Sequence, residues 1–92
     1  MNIPNITSID EALRIYYTHS ELGNKEILSL FGRLSSATTA KLKNMAKDEM
    51  INRDIHTYRM YKVNTTVAYD VWGIDITDLE KRRKKLKALE LQ

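Results

Sequence analysis

The sequence predicts a mainly helical chain: a three-helix core, a short strand or wing after it, and a basic helix toward the C-terminal end. Three observations carry that expectation. Apolar residues recur at three- and four-residue steps through most of the chain, the spacing that puts them on one face of a helix. Ser, Thr and Asn residues stand ahead of these stripes and Gly32 and Gly73 close two of them, as helix starts and stops require. With 92 residues and 42% apolar content, there is material for one hydrophobic core and too little for two.

Asn2 to Asn5 reads as a loose lead-in. Ser8-Ile-Asp-Glu11 fits a capping box, in which the serine oxygen takes an amide three residues on and Glu11 reaches back. Ile9, Ala12, Leu13, Tyr16 and Tyr17 follow on one face, so a first helix is expected over Ile9 to Thr18 with that stripe buried. Packing against a core is the expected role of the tyrosine pair, ahead of stacking on bases. Ser20 to Asn24 reads as a connecting turn, with Asn24 starting the next helix.

Residues 24–50 organise the rest. Ile27, Leu28, Leu30 and Phe31 give the second helix its apolar side, and Gly32 ends it. Arg33-Leu34-Ser35 is long enough only to turn, and Ser36 begins a third helix whose inner face is Leu42, Met45, Ala46 and Met50. Helix, tight turn and helix make the outline of a helix-turn-helix, which offers the start of its second helix to the DNA major groove. That position calls for short polar residues near base edges and longer cations near phosphates. Ser35, Ser36, Thr38, Thr39 and Asn44 supply the first kind and Arg33, Lys41, Lys43 and Lys47 the second; Ser36, Thr38, Thr39, Lys41 and Asn44 are expected to read base edges, with Asn44 suited to a paired hydrogen bond with adenine, while Arg33, Lys43 and Lys47 hold phosphates. The same composition also describes the solvated face of any capped surface helix.

From Asn52 to Val63 the pattern is ambiguous. Ile55, Tyr58 and Tyr61 fit a continued helix face, whereas alternation through His56, Tyr58, Met60 and Lys62 fits a strand. A strand here would let Arg53, Arg59 and Lys62 reach phosphates or the minor groove, but no Asn-Gly or Asp-Gly turn marks a hairpin, so irregular or single-strand structure is expected ahead of helix and of a full two-stranded wing. Asn64-Thr65 caps a short helix over Thr66 to Trp72, whose Val67, Ala68, Val71 and Trp72 belong in a core. Thr77-Asp-Leu-Glu80 reads as a second capping box ahead of a basic helix in which Leu79, Leu86 and Leu89 form a narrow stripe, short of the heptads a coiled coil needs.

Charge is unevenly distributed. The net +3 resolves into −2 for residues 1–32, +4 for 33–62, −4 for 63–80 and +5 for 81–92. Concentrated positive charge releases counterions from a phosphate backbone without making the whole protein basic. Arg82, Arg83, Lys84 and Lys85 therefore join the expected DNA contacts, while Asp70, Asp75, Asp78 and Glu80 should face away from DNA or toward a basic partner.

Catalytic patterns are not evident. Cysteine is missing from the composition, which removes thiol chemistry and disulfides. His19 and His56 lie far apart without neighbours at metal-ligand spacing, and no glycine-rich phosphate loop or catalytic triad order stands out. An enzyme, a bound metal and a cofactor are therefore not expected. The opening residues lack a basic start followed by an apolar run, and no stretch approaches the roughly 20 apolar residues of a membrane span; cytoplasmic residence is the expectation. The whole chain, 1–92, reads as a single domain with its core at about 8–50 and a helical extension at about 64–92.

The segment Leu28-x-x-Phe31-Gly32-x-Leu34-Ser35-x-x-Thr38 through Met45 resembles the helix-turn-helix of small bacterial and phage regulators. In winged regulators of the multiple-antibiotic-resistance type a Leu-Ser-x-x-Thr turn likewise opens the recognition helix. The match covers about a quarter of the chain. It departs from that family after the third helix, where no glycine turns the chain and no hairpin follows. The resemblance implies sequence-specific binding of double-stranded DNA, as a transcriptional regulator or an accessory factor of a phage or mobile element. A homodimer on paired half-sites suits a domain this small. The competing expectation is a protein-interaction adaptor, in which residues 70–92 pair with a partner chain and the helices read no sequence.

Overall fold

The computed structural model describes residues 2–90; Met1, Leu91 and Gln92 lie outside the described residues, and with them the last leucine of the basic stretch. Among those residues the chain is mainly helical, with five helices and one small two-stranded antiparallel sheet. No helix among them is long and apolar enough to cross a membrane.

Helix α1 (Ile9–Thr18) begins where the Ser8 hydroxyl accepts the Glu11 amide at 3.0 Å. The reciprocal half of the expected box is replaced, because the Glu11 carboxylate takes Arg14 Nε at 2.6 Å and the Ser29 hydroxyl of the next helix. Those two donors, Arg14 first, hold the Glu11 carboxyl down at about 2. Ala12, Leu13 and Ile15 are buried and Tyr16 is half-buried, but Tyr17 is 63% exposed. Tyr17 therefore leaves the expected core stripe; its hydroxyl donates to Glu80 across the helix pair.

The expected turn at Ser20–Asn24 contains a strand, β1 (Glu21–Leu22), which pairs antiparallel with β2 (Val63–Asn64), Leu22 opposite Val63. Both apolar side chains are completely buried, so core packing draws the two segments together. The Thr65 amide donates to the Ser20 carbonyl at 3.1 Å and the Thr65 hydroxyl to the His19 carbonyl at 2.6 Å, extending the link. Two-residue strands carry no readable period, which is why the pairing escapes the sequence.

Helix α2 (Asn24–Phe31) is capped one residue earlier than expected, at Gly23, whose amide donates to the Glu26 carboxylate at 2.9 Å. Its end is fixed by Gly32, at φ 86°, whose amide returns to the Leu28 carbonyl at 2.7 Å. The lead-in is less loose than expected: Ile3 and Ile6 pack on the core, and the Thr7 amide donates to the Leu30 carbonyl at 2.8 Å. Helix α3 (Ser36–Asn52) is capped by Ser35 and anchored by Thr39, Leu42, Ala46 and Met50, while Met45 is half-buried. Residues 53–62 form an irregular loop before β2, in line with the expectation of irregular or single-strand structure, with neither a continued helix nor a full hairpin.

Helix α4 (Thr65–Val71) starts at the Asn64 cap and carries the aromatic centre of the molecule. Tyr69 is buried with its hydroxyl on the Ala12 carbonyl at 2.8 Å, and Trp72 is buried with its indole N–H on the Leu42 carbonyl at 3.0 Å. One side chain thus ties α4 to α1 and the other ties it to α3. Burial pushes the Tyr69 hydroxyl well above its ordinary value, keeping it a neutral donor. Helix α5 (Ile76–Glu90) is capped by Asp75 rather than by the expected Thr77, the Asp75 carboxylate accepting the Asp78 amide at 3.3 Å. Only Leu79 of its described side chains is buried; α5 packs along α1 through that residue, the Tyr17–Glu80 bond and an Arg83–Asp10 pair at 3.0 Å.

Candidate nucleic-acid interface

The residues expected to meet DNA are held by α3 and by α5. In α3, Thr39, Leu42, Ala46 and Met50 occupy one side at steps of three and four and are buried. Geometry then sends Ala37, Lys41, Asn44 and Asp48 to the opposite side, and all four are exposed. Ser36 and Ala40 are exposed beside this stripe, and Arg33 and Ser35 in the link before it. The first half of α3 therefore offers a face of small and polar groups around Lys41 and Asn44. Asp48, a carboxylate one turn beyond Asn44, would oppose phosphates or base edges, so the face usable toward DNA is the N-terminal half.

Thr39 does not belong to that face. It is only 7% exposed, and its hydroxyl donates to the Ser35 carbonyl at 3.0 Å, which makes it part of the helix anchor. The reason lies in helical phase: Thr39 stands three residues before Leu42, on the inner side. Thr38 is half-buried and engaged in the cap, its amide donating to the Ser35 hydroxyl at 3.1 Å, so neither Ser35 nor Thr38 is a free reading group. Ser36, Lys41 and Asn44 are free of such ties among the described residues.

Lys43 and Lys47 flank the stripe on the side turned toward α2. Lys43 is half-buried and donates to the Asn24 side chain at 3.1 Å. Burial, and behind it the neighbouring Lys47 charge, lower its pKa, and an anion placed there would offset the repulsion between the two cations. The groove beneath is about 250 Å³ and is lined by Asn24, Leu28, Leu34, Ser36, Ala40 and Lys43. Leu28, 40% exposed, is thereby at its edge rather than in the core where the stripe put it.

The second cationic stretch is carried separately, since α5 packs on α1 whereas α3 packs on α4, α2 and β2. Arg82 pairs with Asp78 at 2.9 Å and Arg83 with Asp10 at 3.0 Å. These are exposed pairs that water already screens, so exchanging a carboxylate for a phosphate costs little. Lys84 and Lys85 are exposed and have no carboxylate partner among the described residues. Arg53 differs: it holds Glu49 at 2.7 Å and Asp70 at 2.9 Å, bridging α3 to α4, and its expected reach to DNA is taken up by that bridge.

The loop 53–62 leaves large side chains in solvent. Tyr58 and Met60 are 94% and 93% exposed, and Lys62 lies over Gly23 at the start of α2. Among the described residues no group of three or more His, Cys, Asp or Glu side chains comes together as a metal site, and His56 meets only Asp54 at 3.3 Å. Comparison with known proteins finds no match among family models, curated sequences or solved structures.

Proposed function

We propose that this protein binds double-stranded DNA, with α2, the link 32–35 and α3 serving as a helix-turn-helix and α3 entering the major groove. The observation that carries the reading is the outward stripe of α3: Ser36, Ala37, Lys41 and Asn44 stand exposed while Thr39, Leu42 and Ala46 pin the helix from behind. A helix presented that way needs no rearrangement to offer its N-terminal half to base edges. Ser36, Lys41 and Asn44 read bases; Arg33, Lys43, Lys47, Arg82, Arg83, Lys84 and Lys85 take phosphates. A dimer on paired half-sites would supply the affinity that one short helix lacks, in a regulator of transcription or an accessory factor acting on DNA.

The test is a shift assay on a duplex selected from random sequence, titrated with salt. Asn44→Ala should cost about 1–3 kcal/mol on the selected duplex and little on random DNA. Lys84→Ala should weaken both alike and flatten the salt slope by about 1. Equal losses on both duplexes from both changes would contradict the assignment. A second reading, a protein-interaction adaptor, is favoured by the exposed Leu86 and Leu89 on α5, at 53% and 66%. An adaptor would hold no duplex at physiological ionic strength.

A further inference from the structure

The loop between α3 and β2 displays apolar side chains that the core does not use. Tyr58 and Met60 are almost wholly exposed, Tyr61 is 55% exposed, and Ile51, on the last turn of α3, is 76% exposed. A single exposed apolar residue needs no explanation, but four within eleven positions call for one, and Ile51 and Met60 form a patch along one groove.

This patch sits on a fastened loop. The Ile55 amide donates to the Met50 carbonyl at 2.8 Å, and the Tyr58 amide to the Glu21 carboxylate of β1. The Thr57 hydroxyl reaches the Arg59 carbonyl at 2.7 Å and the Lys62 carbonyl at 3.2 Å, and the Arg59 guanidinium donates to the Tyr61 hydroxyl at 2.8 Å. These bonds close the backbone into a tight turn and leave Tyr58 and Met60 outside it.

The surroundings indicate what the tip would meet. Met60 and Ile51 share a groove of about 280 Å³ with Lys47, His56 and Lys62. Arg59 adds a further cation, and Asp54 is the nearby carboxylate not already engaged with a backbone amide or an arginine. An apolar tip ringed by cations suits a partner that is anionic outside and apolar within, which describes a nucleic-acid duplex with its phosphate rails and stacked bases. Lys47 belongs both to this groove and to the cationic flank of α3, so the tip adjoins that flank.

Resting on the DNA-binding reading, we propose that the 53–62 loop is a wedge: Met60, with Tyr58 beside it, enters between two stacked base pairs flanking the α3 site and bends the duplex. Apolar side chains inserted in this way unstack a step and kink DNA by about 20–90°. Pyrimidine–purine steps open most easily, so a TA or CA step flanking the α3 contacts is the preferred point of entry.

The experiment measures binding and bending separately, with a selected duplex labelled at both ends for energy transfer. Wild-type complexes should be bent within that range. Met60→Ala and the double change Tyr58→Ala/Met60→Ala touch exposed side chains and leave the fold intact; they should keep affinity within about tenfold while the bound duplex straightens. Lys41→Ala should weaken binding and leave the angle of the bound fraction unchanged. Straight wild-type complexes, or an unaltered angle in the double variant, would overturn the wedge while leaving the DNA-binding reading standing. Failure to bind any duplex would remove both, and capture of the tip by anionic phosphatidylserine vesicles without bending of DNA would assign the loop to a lipid surface instead.

Discussion

Replacing Gly32 by alanine tests the joint on which the position of α3 depends. Gly32 sits at φ 86° and ψ −156°, a region that residues with a Cβ enter only under strain of about 1–3 kcal/mol. A Cβ built there would lie 3.2 Å from the Thr7 Cγ2 methyl, adding a steric cost to the torsional one. Gly73 makes an internal standard: it also has positive φ, at 74°, but a Cβ there meets nothing within 4 Å. Gly32→Ala should therefore destabilise at least as much as Gly73→Ala, and Thr7→Ser should recover the excess, since it removes the methyl while keeping the hydroxyl that bonds the Ser29 carbonyl at 3.1 Å. For a domain of this size 1–3 kcal/mol lowers the melting temperature by roughly 5–20 °C. Urea unfolding followed by the fluorescence of Trp72, the sole tryptophan, reads the difference directly. A Gly32→Ala variant within about 0.5 kcal/mol of wild type would mean that the chain does not turn there with positive φ, and the orientation of α3 argued from that turn would fall.

Further outcomes follow from the core and from the α1–α2 contact. Trp72→Phe keeps an aromatic ring near Phe31 and Tyr69 but abandons the Leu42 carbonyl; it should cost about 1–3 kcal/mol, and Trp72→Ala about 3–5. Calorimetry of the phenylalanine variant checks this, with an unchanged melting temperature counting against the bond. Glu11 titrates near 2 in the folded protein instead of its ordinary 4.5, so the stability it contributes is complete above pH 4.5 and is lost as pH falls toward 2. Glu11→Gln should accordingly be less stable than wild type at pH 6, and the gap should close by pH 2; a gap independent of pH would dissociate it from ionisation of this carboxyl.

How much of this could be read beforehand depended on how many residues each feature recruits. Ile9–Thr18 was legible to the residue, because a serine cap and a five-member apolar stripe agree. Trp72 and the Asn64 cap were legible for similar reasons: a large apolar side chain has few places to go, and a lone Asn before a helix has one task. Caps were misplaced by one or two positions at Gly23 and Asp75, where two candidates stand close together and only backbone geometry chooses between them. The β1–β2 pairing was invisible because its four residues are joined across forty positions by burial, with no local pattern. Within the candidate interface, Lys41 and Asn44 were placed correctly on the outer side, while Thr39 was lost to the inner side by one step of helical phase. For the loop 53–62 the conflicting periods matched its irregular course, but they could not tell that Ile55 packs on the core while Tyr58, Met60 and Tyr61 stand in solvent.

The most direct test of the central claim is a map of amide chemical shifts in this 10.7 kDa protein as a selected duplex is added at moderate salt. Insertion of α3 predicts the largest changes at Ser36, Ala37, Lys41 and Asn44, with smaller ones along residues 81–87. Changes confined to α5, with the outer face of α3 unmoved at saturation, would contradict it.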